Sequence, residues 1–351
     1  MSDNQYLNLI INNPVNGSNR YPRPIPASYD ESFTLPVLNN PRDYYCSVLR
    51  WSLPVDGIPI LLFPANPLQN VNVNQADWIV GVQSSGLNFE QNVIYVPNNN
   101  FAPPVFSPTP PYLTQDQLQS QYYFIFSVQP VINMVNTALD LAFVASGSPG
   151  GGTAPYFIYD PLTQLISLIV TSAFLGTGAK IFMNAYLKTY FDSFVFTIED
   201  DPITGSYLYY FDLSTLPYGG TSPYQFKEEY NALDLWFDIR KIVIVTSSIP
   251  ITTEASPIFL PGSTTNGSAQ YIPILADFII SYDNINDISS IVVYNPTAQY
   301  KLIDMNGSPI SRINFQFFWQ TENGSLFPVM LSPGQAATLK LGFFRKDLYL
   351  H

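Results

Sequence analysis

The chain has 351 residues, of which 46% are hydrophobic and only 11% charged, with a formal net charge of −12 and a pI near 4.3. That length supports one large β domain or two moderate ones, and so apolar a chain is not disordered. No Lys/Arg run is longer than a pair such as Arg345-Lys346, which is followed at once by Asp347, too little to replace the counterions of a phosphate backbone; direct nucleic-acid binding is not expected.

Residues 1–40 read as an extended N-terminal arm: Asn12 to Ser18 is turn-rich and Tyr21 to Pro26 is polyproline-like. Tyr44 to Leu53 predicts the first strong strand and Ile58 to Phe63 a second, after the turn at Val55-Asp56-Gly57. Trp78 to Gln83 and Asn92 to Val96 predict a further strand pair, and residues 97–120 a Pro- and Asn-rich loop long enough to suggest contact with a neighbour. Gln121 to Val128 predicts a strand running into a helix over Pro130 to Ala145, where Val131, Met134, Val135, Leu139, Ala142 and Phe143 recur at three- and four-residue spacing. A second helix is expected over Asn184 to Phe194. Strands follow at Phe194 to Ile198, Ser206 to Leu213, Ile239 to Ser247 and Ser290 to Tyr294.

The C-terminal sixty residues carry the clearest pattern. Ile313 to Gln320 alternates apolar and polar side chains, Thr321-Glu322-Asn323-Gly324-Ser325 is a hairpin turn, and Leu326 to Leu331 returns. Ala337 to Phe344 makes the last strand. Helices set among about ten strands give an all-β sandwich, with the helices in inter-strand connections.

Catalytic chemistry finds little to work with. His351 is the sole histidine and sits at the C-terminus, which removes histidine-based triads and metal sites. Cys46, the sole cysteine, lies mid-strand and reads as a small buried hydrophobe. Glu199-Asp200-Asp201 and Asp283 to Asp287 read as solvated acidic turns in place of calcium sites, and Asp234 and Asp238 flanking Trp236 are the nearest approach to a glycosidase pair. The Asn-Gly-Ser runs at Asn16, Asn266, Asn306 and Asn323 read as turns. No catalytic, cofactor or metal residue is assigned. The polar N-terminus predicts no signal peptide, and the apolar run Leu165 to Leu175 is too short to span a bilayer, so membrane insertion is not expected.

The Pro-rich arm, the strand pair broken by Pro54 and Pro59, the helix closed by a Gly/Pro loop, Pro155-Tyr-Phe-Ile-Tyr-Asp-Pro161, Phe182-Met-Asn-Ala-Tyr-Leu187 and the terminal Gly342-Phe-Phe-Arg-Lys346 together resemble the jelly-roll capsid proteins of virophages and polinton-like viruses, especially their penton (vertex) proteins. The resemblance implies a jelly-roll domain over residues 41–351, with an inserted or second β subdomain to hold the strands beyond eight. It implies a non-enzymatic virion subunit, made in the host cytoplasm or nucleus. Such a subunit associates with itself, as a pentamer first and a trimer second, and with other capsid proteins. A double jelly-roll major capsid subunit and a receptor- or carbohydrate-binding spike are the alternatives.

Overall fold

The structure, a computed structural model, describes residues 4–14, 24–54, 58–64, 74–96, 124–200, 205–215, 222–251, 273–280, 291–295, 301–322, 324 and 326–348. The chain forms two compact units, Met1–Pro59 together with Ile239–His351, and Ile60–Asp238. Strands are numbered along the whole chain. The first unit holds β1 (Gln5–Asn12), β2 (Ile25–Pro26), β3 (Ser28–Ser32) and β4 (Tyr44–Pro54) from its first segment. From its second it holds β15 (Ile239–Val245), β16 (Ile274–Ile279), β17 (Ile291–Tyr294), β18 (Ile303–Asp304), β19 (Arg312–Thr321), β20 (Leu326–Pro328), β21 (Met330–Leu331) and β22 (Ala336–Arg345).

Two five-stranded antiparallel sheets result, with β2 and β21 as a separate pair. One runs β1-β22-β4-β17, with β18 also on β4; the other runs β16-β15-β19-β20, with β3 also on β19. With the eight principal strands counted 1 to 8 in chain order, leaving out the short β2, β18, β20 and β21, the first sheet reads 1-8-3-6 and the second 2-7-4-5. That is jelly-roll order. Because side chains alternate along a strand, β22 sends Ala337, Leu339, Leu341 and Phe343 inward, each at most 1% exposed. Trp51 of β4 meets Phe278 of β16 at 5.2 Å and Phe317 of β19 at 6.2 Å, both edge-on, and so joins the two sheets. The expected hairpin is present: Gln320 pairs with Leu326, and Gly324 takes φ +86°, its N–H donating to the Thr321 carbonyl at 3.0 Å.

The reading of residues 1–40 as a separate arm is corrected over two segments. β1 pairs with β22 along all eight residues, from Gln5 with Phe343 to Asn12 with Ala336, and β3 pairs with β19. These are strands one and two of the jelly roll, so the domain begins well before residue 41. The physical reason lies in Leu7, Leu9 and Ile11, which alternate with Tyr6, Asn8 and Ile10; Leu9 and Ile11 are buried. Apolar Tyr6 and Ile10 on the outward side blur that period of two. The stretch 15–23 lies outside the described residues.

The inserted unit lies between β4 and β15. It contains β5 (Leu61–Leu62), β6 (Gln75–Ser84), β7 (Leu87–Ile94), β8 (Phe124–Ile125), β9 (Tyr156–Asp160), β10 (Leu165–Val170), β11 (Lys180–Asn184), β12 (Phe196–Asp200), β13 (Tyr207–Phe211) and β14 (Tyr224–Lys227). Helices α1 (Val128–Ala145), α2 (Ser172–Leu175) and α3 (Ala185–Lys188) interrupt them. The sheets run β12-β13-β11-β6-β7 and β14-β10-β9, with β5 and β8 as a separate pair.

Helix α1 has mean hydropathy 1.3 over 18 residues, enough by length and composition to cross a membrane. Its buried Val131, Ile132, Val135, Leu139 and Phe143 mark it as a core helix of this unit. Asn136 fixes it to β9, donating to the Phe157 carbonyl at 2.8 Å and accepting from the Phe157 N–H at 2.6 Å. Phe157 then packs on Phe191 and Phe211 at 5.0 and 5.6 Å. The second expected helix is shorter than its pattern suggests. Asn184 ends β11 and caps α3, its Oδ1 accepting from the Leu187 N–H at 3.1 Å, and the chain tightens into a 3₁₀ turn over Thr189–Phe191. Of the expected strand Ile58 to Phe63, Leu61–Leu62 forms. The expected loop at 97–120 lies outside the described residues.

Candidate assembly surface

The residues singled out for chemistry are placed as structural groups. Cys46 is fully buried opposite Phe343, and burial pushes its thiol up to about 12, far from a reactive thiolate. Glu199 is engaged by Lys180 at 2.5 Å. Asp238 accepts from the Leu62 N–H at 3.0 Å, while the buried Trp236 donates to the Tyr190 carbonyl at 2.6 Å. Asp201, the Asp234 side chain, Asp283 to Asp287 and His351 lie outside the described residues. Among the described residues no group of three or more His, Cys, Asp and Glu is placed to hold a metal ion. One buried carboxyl escaped the sequence reading. Glu228 is 4% exposed, and burial pushes it up to about 7, although the Ile166 amide, donating at 2.6 Å, and the Ser193 hydroxyl pull the other way.

Charge divides sharply between the units. Ile60–Asp238 carries three Lys and no Arg against fourteen Asp/Glu, net −11; the jelly-roll unit carries eleven Lys/Arg against twelve Asp/Glu, net −1. The three lysines are matched locally. Lys180 pairs with Glu199 and Lys188 with Asp192. Asp160 is held below the usual carboxylate range by the Leu162 amide and the Thr163 hydroxyl, with Lys227 adding to the effect. The remaining carboxylates are a surplus, and two such surfaces repel each other.

The two jelly-roll sheets also differ. In the second, β15 and β19 are buried on both faces: Ile242, Ile244 and Phe317 on one side, Val243, Val245 and Phe318 on the other. In the first, the inward face is buried, but the outward face leaves Tyr6, Ile10 and Val293 more than half exposed. A surface of this kind, open, partly apolar and close to neutral, is what a subunit can bury against a neighbour without stripping water from many ions.

Comparison with known proteins shows the family. The family model "Sputnik minor capsid protein V18/19" matches residues 5–346. Structural protein V19 of Sputnik virophage is 31% identical over 208 residues, 55% of this chain and 94% of that protein. The uncharacterized protein V18 of the same virophage is 32% identical over 133 residues, 38% of this chain and 80% of that protein. A chain in the cryo-EM structure of Sputnik virophage superimposes with TM-score 0.78 at 29% identity, covering 100% of both chains. The mavirus penton protein shares the fold with TM-score 0.65 at 17% identity, covering 98% of this chain and 99% of that one.

Proposed function

We propose that this chain, which belongs to the Sputnik minor capsid protein V18/19 family, is the penton subunit that forms the vertices of an icosahedral virion. The observation that carries this reading is the shared architecture. The jelly roll with its inserted β unit matches the mavirus penton protein along 98% of this chain. The subunit works by self-association into a pentamer and by contact with other capsid proteins of the shell, and it carries out no chemistry of its own. A five-fold ring needs a heterologous contact, in which one patch of each copy meets a different patch of the next and the rotation closes. The genome is left to other virion components, since a chain of net charge −12 offers no basic track.

Light scattering and negative-stain images of the purified chain test the reading. The expected particle has five-fold symmetry and five times the 39.3 kDa chain mass. A trimer would favour a major capsid subunit or a spike, and a monomer at every concentration would overturn the penton assignment.

A further inference from the structure

We propose that the outward face of the β1-β22-β4-β17 sheet is the surface on which the jelly-roll unit of a second copy docks. The inference rests on the self-association proposed above and names the place where it occurs. Three observations support it.

The first is the make-up of the face. Ile10, Thr338, Ser52 and Val293 are register partners in one row crossing all four strands. The row has exposed apolar ends, Ile10 at 57% and Val293 at 59%. Its centre is a hydroxyl pair, Ser52 Oγ and Thr338 Oγ1 at 2.7 Å, which already shares one hydrogen bond across the strands. Beside that row, Tyr6 sits edge-on to Phe344 at 6.0 Å with Lys340 over its ring at 5.4 Å.

The second is charge. The outward positions of these strands include Arg50 and Lys340 and no carboxylate, and Asp304 at the margin is already paired with Lys346 at 2.8 Å. A face with that balance sets no carboxylate against a jelly-roll unit whose own net charge is only −1. The inserted units, at −11 each, disfavour contact with one another, so the near-neutral jelly-roll unit is the part that copies can bring together.

The third is the edge strand. β1 keeps an unbroken eight-residue register and contains no Lys, no Pro and no bulge, the devices that usually protect an edge from pairing.

The test uses the full chain. Ile10→Asp and Val293→Asp, singly and together, place a charge on the face without touching the core. Ile198→Asp does the same on β12 of the inserted unit, where Ile198 is also exposed. Sedimentation equilibrium is expected to show the face variants dissociating at least ~10-fold more readily, with Ile198→Asp unchanged. Oligomers untouched by the face variants, or weakened equally by Ile198→Asp, would overturn the proposal while leaving the penton reading standing. A wild-type chain that is monomeric throughout defeats both. A labelling experiment reads the same surface without loss of association. Cys46 is buried, so Asn8→Cys supplies a single exposed thiol whose maleimide reaction should slow as the chain oligomerises. Equal rates in monomer and oligomer would contradict docking at this face.

Discussion

The jelly-roll unit and the inserted unit are both rich in strands and both bury aromatic cores, yet eleven of the twelve net negative charges belong to the insertion. In the first, the open sheet face mixes aliphatic groups, hydroxyls and a few cations, so little hydration is lost when it is covered. In the second, surplus carboxylates hold water and repel their like. The contrast teaches how one chain can be sociable in one part and solvated in another. Near-neutrality where copies meet permits assembly, and concentrated acidity elsewhere restrains aggregation of a chain with only 11% charged residues.

The largest expected effect breaks the jelly-roll unit alone. Deleting residues 2–12 removes β1, exposes β22 and loses the burial of Leu9 and Ile11. At about 1.5–3 kcal/mol for each fully buried aliphatic side chain, that costs about 3–6 kcal/mol. Hydrogen exchange should report the loss at amides of β4, β19 and β22, with those of α1, β6 and β13 as protected as before. Equal loosening in both units would erase the energetic distinction between them.

The next effect belongs to the insertion. Glu228 folds with its carboxyl raised to about 7 from an ordinary value of 4.5, so the folded state binds the proton more tightly than the unfolded one. Below about pH 4.5 both states are protonated and burial carries no ionisation cost. Between about 4.5 and 7 the unfolded chain loses its proton first, and stability falls by on the order of 2–3 kcal/mol; above about 7 the loss is complete. Denaturant melts of the inserted unit should therefore weaken from pH 5 to pH 7.5. Glu228→Gln should flatten that slope, and an unchanged slope in the variant would assign it to other groups.

Two glycines sharpen the comparison at the level of packing. A Cβ on Gly81 of β6 would lie less than 3 Å from three atoms of the Phe182 ring, which is fully buried with Leu208 and Tyr210. A Cβ on Gly342 of β22 would meet Phe344 at 2.7 Å and Leu49 at 2.9 Å, the far ends of two side chains on the outward face. Overpacking costs about 1–3 kcal/mol, and the enclosed ring has less room to yield. Gly81→Ala should thus lower the melting temperature more than Gly342→Ala.

Legibility in the sequence followed the same division. The hairpin at Gly324 and the strands around it announce themselves because turn chemistry and alternation are local. Helix α1 does so because its apolar stripe is long. β1 was hidden because Tyr6 and Ile10 put apolar groups on the outward side of an otherwise alternating strand, and pairing with a segment more than 300 residues away leaves no local mark. Glu228 was unreadable for a related reason. Nothing in Lys227-Glu228-Glu229 says which carboxylate turns inward; that is decided by the Ile166 amide across the sheet. The open outward face was present in the letters of four strands, but their register assembles it.

The smallest expected effect concerns salt. Raising ionic strength from about 0.05 to 0.5 M shortens the screening length from roughly 14 Å to roughly 4 Å. That weakens the repulsion among the surplus carboxylates of the insertion, and it weakens exposed pairs such as Lys180–Glu199, which contribute about 0–1 kcal/mol each. With three lysines against fourteen acids the repulsive pairs far outnumber the attractive ones, so the net change is stabilising. In the jelly-roll unit, eleven cations face twelve acids, and pairs such as Arg312–Asp30 and Lys241–Asp277 lose about as much as the repulsions release. Hydrogen exchange followed with added sodium chloride should therefore show the insertion gaining a few tenths to about 1 kcal/mol of protection, with the jelly-roll unit unmoved. Parallel gains in both units would point to general salting-out and would sever the link between charge and the division of labour.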